Sequence, residues 1–264
     1  MAEGEQDEGK MPLLEHLVEL RTRLMWSVGA FVLCFVVSFY FAGPVFNFLV
    51  QPLADLWEGE EARRLIYTAL TEKFFTEIKI AFFVAAFVSF PIVANQLWIF
   101  VAPGLYKNEK KALLPFIIAT PVLFFLGGAF VYYFVLPVAW DFFAGFEQSA
   151  AEGPLAIQLE PKVNEYLSLV MRLVFAFGLS FELPVVLTLL TKVGIISTAG
   201  MRKNRRYAIV IAFIAAAILT PPDPISQLGL AIPIILLYEI SILCARLVEK
   251  KRKEAEQEAK ANEI

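Results

Sequence analysis

Apolar residues in this chain gather in six long blocks separated by short polar stretches. The blocks cover residues 24–42, 74–101, 112–136, 167–190, 207–220 and 225–245. A helix rises about 1.5 Å per residue and must cover about 30 Å of hydrocarbon, so some 20 apolar residues make a span. The second, third and fourth blocks exceed that length and should tilt or protrude. The fifth, about 14 residues or roughly 21 Å of helix, falls short. Only PPDP, residues 221–224, separates it from the sixth, and a turn so rich in proline cannot continue a helix. The two read as a short hairpin beside thinned lipid or packed against longer neighbours. The expected fold class is therefore all-α: a polytopic membrane bundle of six transmembrane helices, concave, with a short fifth/sixth hairpin. One membrane domain spans 1–247. The charged tail, 248–264, is expected to be disordered beyond its first turns.

The polar stretches carry patterns of their own. Over residues 12–24, Leu13, Leu14, Leu17, Val18, Leu20 and Leu24 share one face at 100° per residue, while Glu15, Glu19 and Arg23 gather on the other. This predicts a helix lying on the membrane surface, with Glu19 and Arg23 paired four residues apart. Arg21 projects from the middle of the apolar face and must snorkel or meet a partner. Two long loops, 43–73 and 137–166, lie on the other side. The first holds PVFNFLVQPLADLW, residues 44–57, which reads as an interfacial helix. The polar, acidic-leaning first 23 residues do not read as a secretory leader. No internal repeat is visible, so an inverted-repeat architecture gains no support.

Composition sharpens the picture. The chain is 58% apolar with 25 Phe, against about 45–50% in a soluble domain. Net charge is only −3, which does not speak for nucleic acid; its distribution says more. With six spans, seventeen Lys and Arg fall on the side of the termini and four (Arg63, Arg64, Lys73 and Lys162) on the other, with Lys79 and Arg172 inside spans. The bias places both termini in the cytoplasm. Cys34 and Cys244 both lie in apolar blocks and read as buried small residues. His16 is the only histidine. That leaves no His-based triad in the membrane and no His-rich metal site. No glycine-rich phosphate loop is present. The chain is not read as an enzyme, and no cofactor or metal is called for.

The terminal side presents Glu15, Glu19, Glu109 and Glu249 within a basic field. Four of its segments resemble the TatC family: HLVELRTRL before the first block, FVAPGLYKNEKK after the second, FAFGLSFELPVV in the fourth and LTPPDPISQ at the proline turn. They stand in the family's order and cover about residues 11–247. The resemblance implies the receptor subunit of the twin-arginine protein export system, a multi-pass protein of the bacterial cytoplasmic membrane. It implies recognition of signal peptides with paired arginines, partnership with TatA- and TatB-type single-span proteins, and export driven by the proton-motive force. It places arginine recognition on Glu19 and Glu109, since a guanidinium fork matches a carboxylate in two bonds. Phe100 and Leu105 would pack the apolar part of the peptide; Arg21, Arg23 and Leu24 would shape the receptor surface. His16 also matches.

Glu182 is the remaining puzzle. A charge at mid-membrane costs roughly 2.5–3.5 kcal/mol on insertion scales, so such acids face protein or water. The expectation is a polar point on the concave face that contacts a partner's span, with Gln96, Asp223 and Gln227 serving the same face. Pro184 would kink the helix there. Two other readings stand beside this one. A small-molecule secondary transporter would use Glu182 and Arg172, and a pure scaffold would assemble single-span helices. Binding of a twin-arginine peptide against its twin-lysine version separates all three.

Overall fold

The computed structural model describes residues 13–57, 63–101, 110–148, 155–220 and 223–262. Its elements are α1 (Leu13–Tyr40), α2 (Ala42–Leu56), α3 (Glu72–Val101), α4 (Lys110–Phe130), α5 (Leu136–Ala144), α6 (Val163–Phe181), α7 (Leu183–Val193), α8 (Thr198–Lys203), α9 (Arg205–Leu219) and α10 (Pro224–Asn262). A π-helical turn, Val131–Val135, joins α4 to α5. Among the described residues five segments are long and apolar enough to cross a membrane: His16–Tyr40, Glu72–Phe100, Leu114–Ala144, Val163–Val193 and Pro224–Lys251. The fifth apolar block is α9, whose 15 residues make about 22 Å of helix.

The helices pair as α1 on α3, α4 on α6, α7 on α10 and α9 on α10. The core gathers on α6, which buries Val163, Leu167, Val170, Val174 and Phe177 against Leu49 and Leu53 of α2, Ile80 of α3, and Leu136 and Trp140 of α5. At the α4–α6 crossing the backbones nearly touch. A Cβ on Gly127 would stand 2.6 Å from the Phe177 carbonyl oxygen, so only glycine fits there. The α6–α7 break falls where Pro184 predicts it. Proline offers no N–H to the Ser180 carbonyl four residues back, and the chain turns at Glu182 with φ −76° and ψ −13°.

The segments between α1 and α3 and between α5 and α6 form a cap. In α2, Pro52 deprives the Phe48 carbonyl of its helical donor; the Tyr132 hydroxyl, aimed from the π turn, donates to it at 2.7 Å. Tyr166 Oη donates to the neighbouring Leu49 carbonyl at 3.0 Å. These two phenols fasten α2, which covers the expected helix at 44–57, across the bundle. Ile66 exchanges backbone bonds with Pro161 and Val163. Arg63 grips Glu147 through both guanidinium nitrogens.

Two expectations are corrected. Residues 12–24 do not form a separate surface helix: α1 runs unbroken from Leu13 through the span. The tail does not leave the helix after its first turns, since α10 continues through Asn262. Its Lys, Glu, Ala and Gln residues are strong helix formers, and Lys250 and Glu254 pair at 3.7 Å.

Candidate functional site

α1 and α3 run antiparallel, as the contacts of Phe31 with Phe82 and of His16 with Phe100 require. The polar stripe of α1 faces this seam. The apolar stripe faces out, with Leu17, Val18, Leu24 and Met25 each about 60% exposed. The surface-helix expectation had the polar stripe facing water; as part of a span the helix is turned the other way. Apolar side chains meet hydrocarbon at no cost, whereas a carboxylate and a guanidinium must find protein.

Inside the seam, Arg23 Nη2 donates to Glu19 Oε1 at 3.2 Å. Its Nη1 donates to Gln96 Oε1 on α3 at 3.4 Å. The pair is only partly exposed, at 30% for the Arg23 side chain and 18% for Glu19. Glu19 Oε2 and Arg23 Nε are buried with no hydrogen-bond partner among the described residues. One turn towards the chain's start, the His16 ring stacks on Phe100 with centroids 4.4 Å apart. The structure thus brings together His16, Glu19, Arg23, Gln96 and Phe100. It does not bring in Arg21, which is exposed on α1, or Leu24 on the outward stripe. Glu109 and Leu105 lie outside the described residues.

Glu249, counted above among the acids facing a ligand, is already engaged. It accepts the Thr198 N–H at 3.3 Å and the Thr198 hydroxyl at 2.6 Å, holding the first turn of α8. The sequence reading missed Glu239, which pairs with Arg205 at 2.6 Å. An acid in the inner half of the last apolar block, opposite the Arg205–Arg206 run, was the available signal.

Glu182 is 7% exposed, and both its carboxylate oxygens lack a hydrogen-bond partner among the described residues. The Thr120 side chain interacts with it, and Thr120 Oγ1 in turn accepts from Trp98 Nε1 at 3.0 Å. Apolar Val185, Leu189 and Phe116 pack against Trp98. The four polar groups expected on one face do not meet. Gln96 turns to Arg23 instead of Glu182, because α3 presents it to α1. Asp223 caps α10 by accepting the Ser226 N–H at 2.7 Å, while Gln227 lies partly buried in the first turn of α10. Arg172 stands exposed on α6, the face opposite its buried residues. It does not join Glu182, so the coupling pair a transporter would need is not formed.

A model of the family described as Sec-independent protein translocase protein (TatC) matches residues 15–233. The Sec-independent protein translocase protein TatC of Magnetococcus marinus is 54% identical over 252 residues, 96% of this chain and 89% of that protein. The Escherichia coli K12 protein of the same name is 39% identical over 95% of this chain and 94% of its own length. A solved structure described as a twin arginine translocase receptor, TatC, superposes with a TM-score of 0.77 at 40% identity. It covers 88% of this chain and 99% of its own.

Proposed function

The chain belongs to the TatC family of Sec-independent protein translocase proteins, a transport subunit of the Tat pathway, and on that premise we propose that it is the signal-peptide receptor of its complex. Glu19 and Glu109 take the paired arginines of a signal peptide, with Phe100 and Leu105 beside its apolar part and Arg21, Arg23 and Leu24 framing the surface. TatA- and TatB-type single-span proteins dock within the membrane near Glu182, Asp223 and Gln227, and the proton-motive force drives translocation. Both termini face the bacterial cytoplasm.

The observation that carries the reading is the Glu19 carboxylate. It sits beside the His16–Phe100 stack, in a seam partly closed to solvent, with one oxygen unpartnered. Such a group accepts a guanidinium fork in a setting of reduced dielectric, where the bond is stronger than in water. The test measures binding of a twin-arginine peptide and its twin-lysine version to the purified full chain. The wild type should prefer arginine, and Glu19→Ala should weaken that binding. Equal binding of both peptides, unchanged by Glu19→Ala, would remove the assignment.

A further inference from the structure

The Glu19 site is not vacant before a peptide arrives. Arg23 already occupies it, through the same guanidinium–carboxylate contact that a signal arginine would make. Its Nη2 holds Glu19 Oε1 at 3.2 Å, and the second oxygen is turned into the seam, buried and unmatched. An approaching cation therefore meets a pair with no net charge. The same guanidinium has a second acceptor within range, Gln96 Oε1 at 3.4 Å. That oxygen is neutral, so it is the weaker of the two anchors.

We propose that Arg23 is an internal stand-in for a signal arginine, which must be displaced from Glu19 onto Gln96 before the peptide is gripped. This rests on the assignment of Glu19 as an arginine acceptor. When the peptide's guanidinium takes Glu19, Arg23 would otherwise be left as an unpaired cation against the α3 wall. Gln96 keeps it hydrogen-bonded through a neutral oxygen, so the displaced guanidinium loses its counter-charge but not its last acceptor. The device also sets specificity. A ligand must outcompete a guanidinium already in place. Paired arginines do so through a planar fork that can use both carboxylate oxygens, whereas an ammonium is a point charge with no such fork. Arg23 thus lowers absolute affinity and raises discrimination against lysine.

The roles of the two residues have opposite signs, which makes the idea testable by peptide binding to the intact chain in lipid nanodiscs. Arg23→Gln removes the competitor. It should tighten twin-arginine binding, by up to about fivefold given the usual worth of a partly exposed pair, and should tighten twin-lysine binding more. Gln96→Ala removes the second anchor and should weaken twin-arginine binding, since displaced Arg23 has nowhere to go. In the double variant the loss due to Gln96→Ala should vanish, because no arginine remains to be re-housed. A merely structural role for the two residues predicts additive losses, and additive losses would overturn the proposal. Glu19→Ala separates the two levels of the argument. If it weakens binding while Arg23→Gln fails to tighten it, the stand-in falls and the receptor site survives. If Glu19→Ala changes nothing, both fall.

Discussion

A guanidinium taken out of water needs a matched carboxylate to offset its desolvation, and Arg63 meets one. Its side chain is 13% exposed and that of Glu147 21%. The second of their two bonds, Nη2 to Oε2, measures 2.7 Å. Arg63 also lies over the Trp57 ring at 5.4 Å, and Glu147 accepts the Leu159 N–H at 2.8 Å. Three loop segments thus converge on one ion pair. The Arg63 bond holds the Glu147 carboxyl below its usual range; burial opposes this, and the Leu159 N–H reinforces it. A carboxyl lowered in the folded state contributes stability above its unfolded value, about 4.3, and loses it as pH falls through the lower folded value. Glu147→Gln should lower stability at pH 7 by about 1–3 kcal/mol and remove this contribution to acid sensitivity. Thermal unfolding from pH 7 down to pH 3 checks both, and identical pH profiles for the two proteins would refute the clamp. The phenol contacts make a second case. Tyr132→Phe leaves the Phe48 carbonyl, which Pro52 has already freed, without its donor. The expected loss is about 1–3 kcal/mol, against little for Tyr133→Phe, whose side chain is 65% exposed. Equal unfolding midpoints for the two variants would sink this account. None of these pairings was legible in the sequence. Arg63 and Glu147 stand 84 residues apart and Arg23 and Gln96 stand 73 apart, and only the packed helices bring them together. The Glu19–Arg23 pair was legible, because four residues along one helix suffice to make it.

At the scale of elements, what could be read was length, and what could not was facing. The five long spans and the short α9 follow from counting apolar residues against bilayer thickness, and the α6–α7 break follows from Pro184. The polar stripe of α1 was assigned to water by a rule suited to soluble helices. Hydrocarbon inverts that rule, and the continuity of α1 through Met25 and Trp26 decides which solvent applies. The α10 extension was misread because a charged composition suits either a coil or a helix with strong intrinsic propensity. The α4–α6 crossing offers a test of how tightly the spans are set. At Gly127 a methyl group would strike the backbone of Phe177, with the carbonyl carbon 2.9 Å and the oxygen 2.6 Å away. Backbone cannot rotate aside, so α4 and α6 must separate. Gly127→Ala should cost about 1–3 kcal/mol, in the range of overpacked cores. At Gly29 on α1, by contrast, a Cβ meets nothing within 4 Å. Gly29→Ala should be neutral or stabilise by about 0.4–1 kcal/mol through the unfolded chain. Thermal unfolding of the two variants in one detergent compares them directly, and equal midpoints would mean that the crossing is looser than drawn.

The molecule as a whole poses the question of which ends face which side, and α9 decides it. Five long spans alone would put the termini on opposite faces of the membrane. If α9 also crosses, they share one. At about 22 Å it is shorter than the average hydrocarbon core of about 30 Å, yet it has neighbours that make crossing feasible. It lies along α10, its Ala216 is buried in the main core, and Thr220 at its end returns its hydroxyl to the Ala216 carbonyl at 2.8 Å. A bilayer thinned locally beside so short a helix costs only fractions of a kcal/mol per Å. The charges point the same way. The end of α8 and the first turn of α9 hold Arg202, Lys203, Arg205 and Arg206, while the turn after α9 holds Asp223 and no Lys or Arg, an asymmetry that retains the basic end in the cytoplasm. Crossing therefore places α8 and the start of α10 on opposite sides. Single cysteines at two exposed positions, Lys203→Cys in α8 and Pro224→Cys at the start of α10, test this after Cys34 and Cys244 are replaced by Ala. The second choice leaves the Asp223 cap on Ser226 in place. In intact cells a membrane-impermeant maleimide should label position 224 and leave position 203 untouched, and in inverted vesicles the pattern should reverse. Labelling of both positions from one side would mean that α9 turns back within the membrane, and would put the two termini on opposite faces.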